Sequence, residues 1–427
     1  MMLSHKGMLF TACFVFLAQL SFADAGEGSE ENGKLNRDEI LAHPEVRGAL
    51  AVIDAWIEGV LIYDKVPGIS VGIVHDQDLI WSNGYGYSNL EEKRPADADT
   101  LYSICSISKL FTSIGIMQLR DADQLRLRDS VNQHLEWFDI TQAHESSGPM
   151  TIESLLTHSS GLPRESDFPY WNGPSFPFPS REEMIARLKN QETLYPAQQH
   201  FQYSNLALSL AGEIIQARSG QVYQAYVEEH ILNPLGLAST RTYYPSNLHG
   251  EELAIGYTGI HRDGARDPVE PFFTRGITPA AGFTSSVNDL SRFASWQFRL
   301  LENGGEEVLQ ANTLREMHRV HWIDPDWNTT WGLGFSVRRA DDATIVGHGG
   351  GCPGYITSFA MIPNHKIAAV VLTNAGDGPA GNVAQNLLKT IRPALKKATT
   401  PSTEERPDFS MYEGNYDSRP WGGEVAI

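Results

Sequence analysis

The chain is 427 residues long, 41% hydrophobic and 10% aromatic, which is enough apolar content to bury a large core and excludes a disordered chain as the default. Its formal net charge of -19 argues against nucleic acid or an anionic membrane as partner, since both would meet a repelling surface. The charge identifies no substrate.

The first 25 residues hold a lone lysine, Lys6, an apolar run over 8–22 and the small-x-small triplet Ala23-Asp24-Ala25, the pattern of an export signal. The run is shorter than the ~20 apolar residues a spanning helix needs, so a membrane anchor is the weaker reading, and no later segment is long and apolar enough to span. Removing residues 1–25 deletes Lys6 and Asp24 and leaves the net charge at -19. Cys13 lies in the signal, so Cys105 and Cys352 remain in a chain that matures in an oxidising compartment.

After a polar stretch over 26–34, apolar residues recur at helical spacing over 46–60. Residues 68–74 (GISVGIV) and 79–87 are strand-like runs around the turn His75-Asp76-Gln77-Asp78, a predicted hairpin. Residues 106–299 show mainly 3.6-residue patterns: Leu110, Phe111, Ile114 and Met117 on one helix, 152–156 on a short one and 206–215 on another. Inside this helical insertion, 168–179 (FPYWNGPSFPFP) carries too much proline for regular structure. It reads as a lid over a pocket or, at least as well, as aromatics packed on the domain's own surface.

Residues 331–337 (WGLGFSV), 344–346, 356–362 and 367–374 (IAAVVLTN) read as strands, and 383–396 as a helix. The predicted class is α+β, an antiparallel sheet built from both chain ends and flanked by helices, with a large mainly helical insertion. A polar linker follows over 398–407, and 411–427 ends on an entering strand, read as the truncated start of a small β domain because a strand without a partner does not stand alone. The expected boundaries are 1–25, 26–397 and 398–427.

Three serines surround one lysine in 104–115 (ICSISKLFTSIG). Side chains three apart on a helix share one face, with Cβ atoms roughly 5–6 Å apart, so Ser106 and Lys109 are placed to exchange a proton. Ser103 stands too far back, and Ser108, beside the lysine, points elsewhere. The same spacing also arises when a serine caps a helix and a lysine faces solvent.

A second proton carrier is expected, and a tyrosine beside an ammonium suits, because the positive charge favours phenolate. Tyr87-Ser88-Asn89, Tyr170-Trp171-Asn172 and Tyr203-Ser204-Asn205 compete. Only the last immediately precedes a predicted helix, with Ser204 or Asn205 as its cap, so Tyr203 is the choice. A third wall is offered by 347–354 (GHGGGCPG), where glycines permit close backbone approach; a glycine-rich hairpin with a surface histidine is the alternative. The one Gly-x-Ser-x-Gly match, 68–72 (GISVG), falls inside a strand-like run of the hairpin and not at a strand-to-helix elbow, and no His-Glu-x-x-His occurs, which disfavours an α/β-hydrolase and a zinc hydrolase.

In order along the chain, Ser106-Ile-Ser-Lys109, Tyr203-Ser-Asn205 and His348-Gly-Gly350 resemble the three motifs of the serine β-lactamase and penicillin-binding-protein superfamily, above all its class C-like branch of esterases and D-amino-acid peptidases. The likeness covers residues 40–395 and includes 151–163 (TIESLLTHSSGLP), 279–293 (PAAGFTSSVNDLSRF), 331–335 (WGLGF) and 370–375 (VVLTNA). It implies a β-lactamase/transpeptidase-like fold in which Ser106 forms an acyl-enzyme, Lys109 and Tyr203 move the proton, and Asn205 orients substrate and lysine. The oxyanion would be held by the backbone N–H groups of Ser106 and Gly351, with His348 and Gly350 on the facing wall. By the same resemblance Cys105 and Cys352 form a disulfide bracing that hole; two small buried thiols are the alternative.

The family's third motif opens with lysine and then threonine or serine, whereas His348 and Gly349 stand here. A histidine with a reference pKa near ~6.5 is mostly neutral at pH 7, so the grip on a substrate carboxylate is expected to be weaker. The reading is therefore a secreted or periplasmic serine hydrolase of esters or peptide-like amides. A D,D-peptidase or β-lactamase is the rival within the class, and a binding protein without turnover the rival outside it. The expected partner is a small-molecule or peptide-like substrate, with no nucleic acid, no membrane span in the mature chain, no cofactor and no metal.

Overall fold

Proline in the first turn and the His43 side chain, which accepts from the Glu45 N–H, start helix α1 (Pro44–Tyr63). Strands β1 (Gly68–His75) and β2 (Asp78–Asn89) form the predicted hairpin, with Asp76 in the turn at φ 56. The insertion contributes α2 (Ser108–Asp121), α3 (Asn205–Ser219) and α4 (Val287–Asn303). The chain returns through β3 (Ser336–Ala340), β4 (Ala343–Cys352), β5 (Tyr355–Ile362), β6 (Ile367–Thr373) and α5 (Ala380–Thr399). These elements come from a computed structural model that describes residues 35–167, 170–340 and 342–400, plus the short strands Asn415–Asp417 and Glu424–Ala426.

The sheet runs in the order Arg94–Pro95, β2, β1, β6, β5, β4, β3, Thr330–Trp331, Trp322–Ile323. Its two halves join where β1 pairs antiparallel with β6, from Ile69↔Thr373 to His75↔Ile367. Period-two alternation explains why β6 is apolar throughout. Ile367, Ala369 and Val371 share one core with Ile69, Val71 and Ile73 and with Val46, Ile53 and Ile57 of α1. Ala368, Val370 and Leu372 lie in the other core, with Phe111 of α2 and Phe293 of α4. The fold is therefore α+β, with helices on both faces of an antiparallel sheet.

Some expectations need correction. Residues 331–337 do not form one strand, because Gly334 sits at φ 81 with its N–H bonded to Leu156 O at 3.1 Å. A Cβ there would meet Ser113 Oγ at 2.0 Å. The chain bends at this close approach, and β3 starts at Ser336. The strand expected at 344–346 runs on to Cys352, so the glycine motif is strand and the turn falls at Pro353-Gly354. Helix α5 ends at Thr399, so the expected linker begins inside it.

Residues 401–407 of that linker and the export-signal segment lie outside the described residues, as do Phe168 and Pro169. In the C-terminal piece, Asn415–Asp417 pairs antiparallel with Glu424–Ala426. Among the described residues, no helix is long and apolar enough to cross a membrane.

Candidate active site

Ser106 lies in a 3-10 turn, Cys105–Ile107, that runs directly into α2. Side chains three apart eclipse one another in such a turn, and Lys109 Nζ sits 3.1 Å from Ser106 Oγ. Lys109 does not face solvent; it is only 1% exposed. The turn is fastened at both ends. Ile104 N–H donates to Phe283 O at 2.9 Å, while Ser108 Oγ donates to Cys105 O at 2.6 Å and accepts from Phe283 N–H at 3.0 Å. Ser108, discounted as nucleophile, thus holds the Ser106 turn in shape.

Cys105 takes up φ 51, a left-handed conformation unfavourable for a residue with a Cβ. It is bonded to Cys352 at the end of β4, with the Cα atoms 5.7 Å apart. Gly350 completes the junction, since a Cβ there would stand 2.3 Å from Ile104 O and 2.2 Å from Thr357 Oγ1. The glycines of the third motif therefore let β4 lie directly against the Ser106 turn.

Besides Ser106, Lys109 Nζ donates to Asn205 Oδ1 and to Ala280 O, each at 2.7 Å. Burial is the largest influence and pushes the lysine well below its usual range; Arg164 adds to this and Glu165 opposes it. A neutral amine has two N–H groups, and the two pure acceptors use both. In that neutral form its lone pair faces the Ser106 hydroxyl.

Asn205 cannot turn around, because its Nδ2 donates to Glu165 Oε1 at 2.6 Å. The Glu165 carboxylate is itself held by Trp171 Nε1 at 2.7 Å and Tyr170 OH at 2.5 Å. An amide oxygen is therefore fixed toward the lysine by a carboxylate one shell further out.

Tyr203 stands just before α3, which is capped by Ser204: the Ser204 hydroxyl accepts from Ala207 N–H at 3.0 Å. Its ring centroid is 4.9 Å from Lys109 Nζ and 5.1 Å from Arg164 Cζ. Burial raises the phenol above its ordinary range, while the neighbouring Ser106 hydroxyl and Arg164 pull it down. Burial wins, so the expected phenolate is replaced by a neutral phenol.

His348 lies in mid-strand, buried, with Nδ1 donating to Gly349 O at 2.5 Å. Burial, and then the Lys109 charge, push it down to about 3. It is neutral near pH 7, which leaves Nε2 as an acceptor.

Ser106, Lys109, Tyr203, Asn205, His348 and Gly350 are thus brought to one place, and Gly351 lies exposed on the same strand. The other tyrosine triplets separate from it. Asn89 donates to Gly250 O in a turn far along the chain, whereas Tyr170 and Trp171, set aside as loop aromatics, serve the site through Glu165.

Sequence reasoning missed Glu165, Arg164 and His158. His158 packs on the Tyr203 ring at 4.3 Å between centroids and accepts from Ser204 N–H through Nδ1 at 3.1 Å. The available signal was position: His158 lies inside the family-like phrase 151–163, and Arg164 and Glu165 follow it directly.

The Ser106 turn at the head of α2, set against a glycine-bearing strand on a sheet closed by both chain ends, defines the β-lactamase/transpeptidase-like class. A beta-lactamase family model matches residues 53–390, and the chain belongs to that family of serine hydrolases. It is 28% identical over 341 residues to "Beta-lactamase-like protein 2" of Dictyostelium discoideum, covering 78% of this chain and 60% of that one. It is 27% identical over 328 residues to "Protein flp" of Staphylococcus aureus, covering 75% of this chain and 62% of that one. The chain thus spans less than two thirds of the length of either.

Penicillin-binding protein 4* of Bacillus subtilis is 26% identical over 368 residues, covering 79% and 77% of the two chains. Among solved structures, the octameric penicillin-binding protein homologue from Pyrococcus abyssi superposes with a TM-score of 0.70 at 27% identity, over 83% of this chain and 79% of that one. A D-stereospecific amidohydrolase from Streptomyces shares the fold at a TM-score of 0.65 and 22% identity, over 81% and 97% of the two chains.

Proposed function

We propose that this protein is an exported serine hydrolase that cleaves esters or peptide-like amides through an acyl-enzyme on Ser106. The observation that carries the reading is the Lys109 amine, buried, 3.1 Å from Ser106 Oγ, with its other two contacts to pure acceptors. Lys109 takes the Ser106 proton as Oγ bonds to the substrate carbonyl carbon, and the carbonyl oxygen becomes an oxyanion at the N–H groups of Ser106 and Gly351. As the tetrahedral species collapses, the carbon–leaving-group bond breaks and the neutral Tyr203 hydroxyl supplies a proton to the departing oxygen or nitrogen. The Lys109 ammonium returns a proton to Tyr203. Water then attacks the acyl carbon by the same route and regenerates Ser106.

Neutral His348 and the hydroxyl-free Gly349 supply neither the charge nor the hydroxyl of the usual third motif, which favours esters and amides over efficient β-lactam hydrolysis. Export is supported by the N-terminal sequence pattern and by a disulfide, which persists in oxidising compartments. The test is a panel of p-nitrophenyl esters, nitrocefin, a D-Ala-D-Ala peptide and a fluorophosphonate label on wild type, Ser106→Ala and Lys109→Ala. Turnover and labelling that vanish with Ser106 are expected. A wild type that turns over none of them and leaves Ser106 unlabelled refutes the proposal in favour of a binding protein.

A further inference from the structure

Arg164 is the residue at the site that the chemistry above leaves unused. Its main chain is fixed to the helix that carries Asn205: Asn205 N–H and Leu206 N–H both donate to Arg164 O, at 2.8 and 3.2 Å. The preceding residue is tied as well, through Ser204 Oγ donating to Pro163 O at 2.7 Å. From this anchored position the guanidinium extends over the Tyr203 ring, 5.1 Å from its centroid, while the side chain stays 58% exposed. Among the described residues its one ionic contact is through Nε, 3.4 Å from Glu165 Oε1. Among the described residues neither terminal nitrogen makes a hydrogen bond.

Among the described residues Glu165 meets this cation at Nε alone, and its oxygens also accept from Asn205, Trp171 and Tyr170. A guanidinium stacked on an aromatic face and steadied through Nε presents its two terminal N–H edges as a preformed fork, the geometry that matches a carboxylate in two parallel bonds. The facing wall offers no competing cation, since His348 is a buried neutral imidazole.

We infer that Arg164 is a specificity-determining residue that selects substrates bearing a carboxylate beside the scissile bond. The carboxylate belongs either to a dicarboxylic half-ester or to a peptide C-terminus. The inference rests on the proposed acyl-enzyme chemistry for its kinetic test, but not for its binding test.

For turnover, kcat/KM is compared between p-nitrophenyl hemisuccinate and its neutral methyl succinate diester, and between an N-acetyl dipeptide acid and its C-terminal amide. The enzymes are wild type, Arg164→Ala and Arg164→Lys. The anionic-to-neutral ratio is expected to fall roughly tenfold in Arg164→Ala, with Arg164→Lys between, as for loss of one charge-assisted contact. The pair that shows the fall identifies the source of the carboxylate. Arg164 also bears on Lys109, yet any such change acts on both members of a pair and cancels in the ratio. Equal losses on anionic and neutral substrates overturn the inference.

For binding, Kd values of succinic acid monoanilide and its methyl ester are measured calorimetrically on Ser106→Ala with and without Arg164→Ala. A roughly tenfold loss of discrimination is expected. An unchanged Kd ratio refutes the role of Arg164 even where turnover is absent, whereas absent turnover by itself counts only against the acyl-enzyme proposal.

Discussion

Replacing Glu165 separates the two things its carboxylate does. In Glu165→Ala three donors lose their acceptor: Asn205 Nδ2, Trp171 Nε1 and Tyr170 OH. Asn205 is 1% exposed and Tyr170 0%, so neither finds water in place, and each buried orphan costs about 1–3 kcal/mol. The expected destabilisation is therefore about 2–6 kcal/mol, a large part of the total stability of an ordinary domain. Asn205 also loses the contact that points its oxygen at Lys109, so kcat/KM falls with the stability.

Glu165→Gln keeps an acceptor oxygen for Asn205 and Trp171, and the Tyr170 hydroxyl rotates to accept from the new amide. The expected cost is below about 1 kcal/mol. What disappears is a negative charge that favours the Lys109 ammonium, so the lysine is more easily neutral and the acid limb of kcat/KM moves to lower pH. Urea unfolding at pH 7 and a pH profile with a p-nitrophenyl ester measure both effects. An Ala variant within about 0.5 kcal/mol of wild type, or a Gln variant whose acid limb stays put or moves to higher pH, contradicts the proposed network.

Cys105→Ser with Cys352→Ser, or reduction, releases a link across 247 residues and is expected to lower stability by about 2–5 kcal/mol; thiol titration of the unfolded, unreduced protein checks the bond directly. Gly350→Ala forces β4 away from Ile104 O and Thr357 Oγ1, so a loss of about 1–3 kcal/mol and a collapse of ester turnover are expected together, read by thermal unfolding and steady-state rates. Burial holds His318 and His348 each down to about 3, against an unfolded value near ~6.5. Between those pH values the unfolded chain binds more protons, so stability is complete above about pH 6.5 and is lost on acidification, by up to about 1.4 kcal/mol per pH unit for each group. His318→Gln, remote from Ser106 in the chain, removes one of the two and should flatten the fall between pH 6 and pH 4 in urea titrations; an unchanged slope would show that His318 does not titrate this way.

Local pattern was sufficient for much of this protein. The continuous apolar run of 367–373 meant a strand, and Ser204 or Asn205 before 206–215 meant a capped helix, because each is governed by neighbours a few residues away. The Ser106–Lys109 pair was legible for the same reason, being one turn of one segment. Glu165, by contrast, matters only because folding carries Asn205, Tyr170 and Trp171 to its carboxylate, and no periodicity encodes that convergence.

The same holds for acid–base character. A tyrosine beside a lysine looks in sequence like a phenolate beside an ammonium, yet burial disfavours both charges, and only the packed core fixes how deep each group lies. The bend at Gly334 and the straight run of β4 through its glycines were likewise set by contacts with Ser113, Leu156 and Ile104. These lie far away along the chain and adjacent in space, where tertiary packing overrides local propensity.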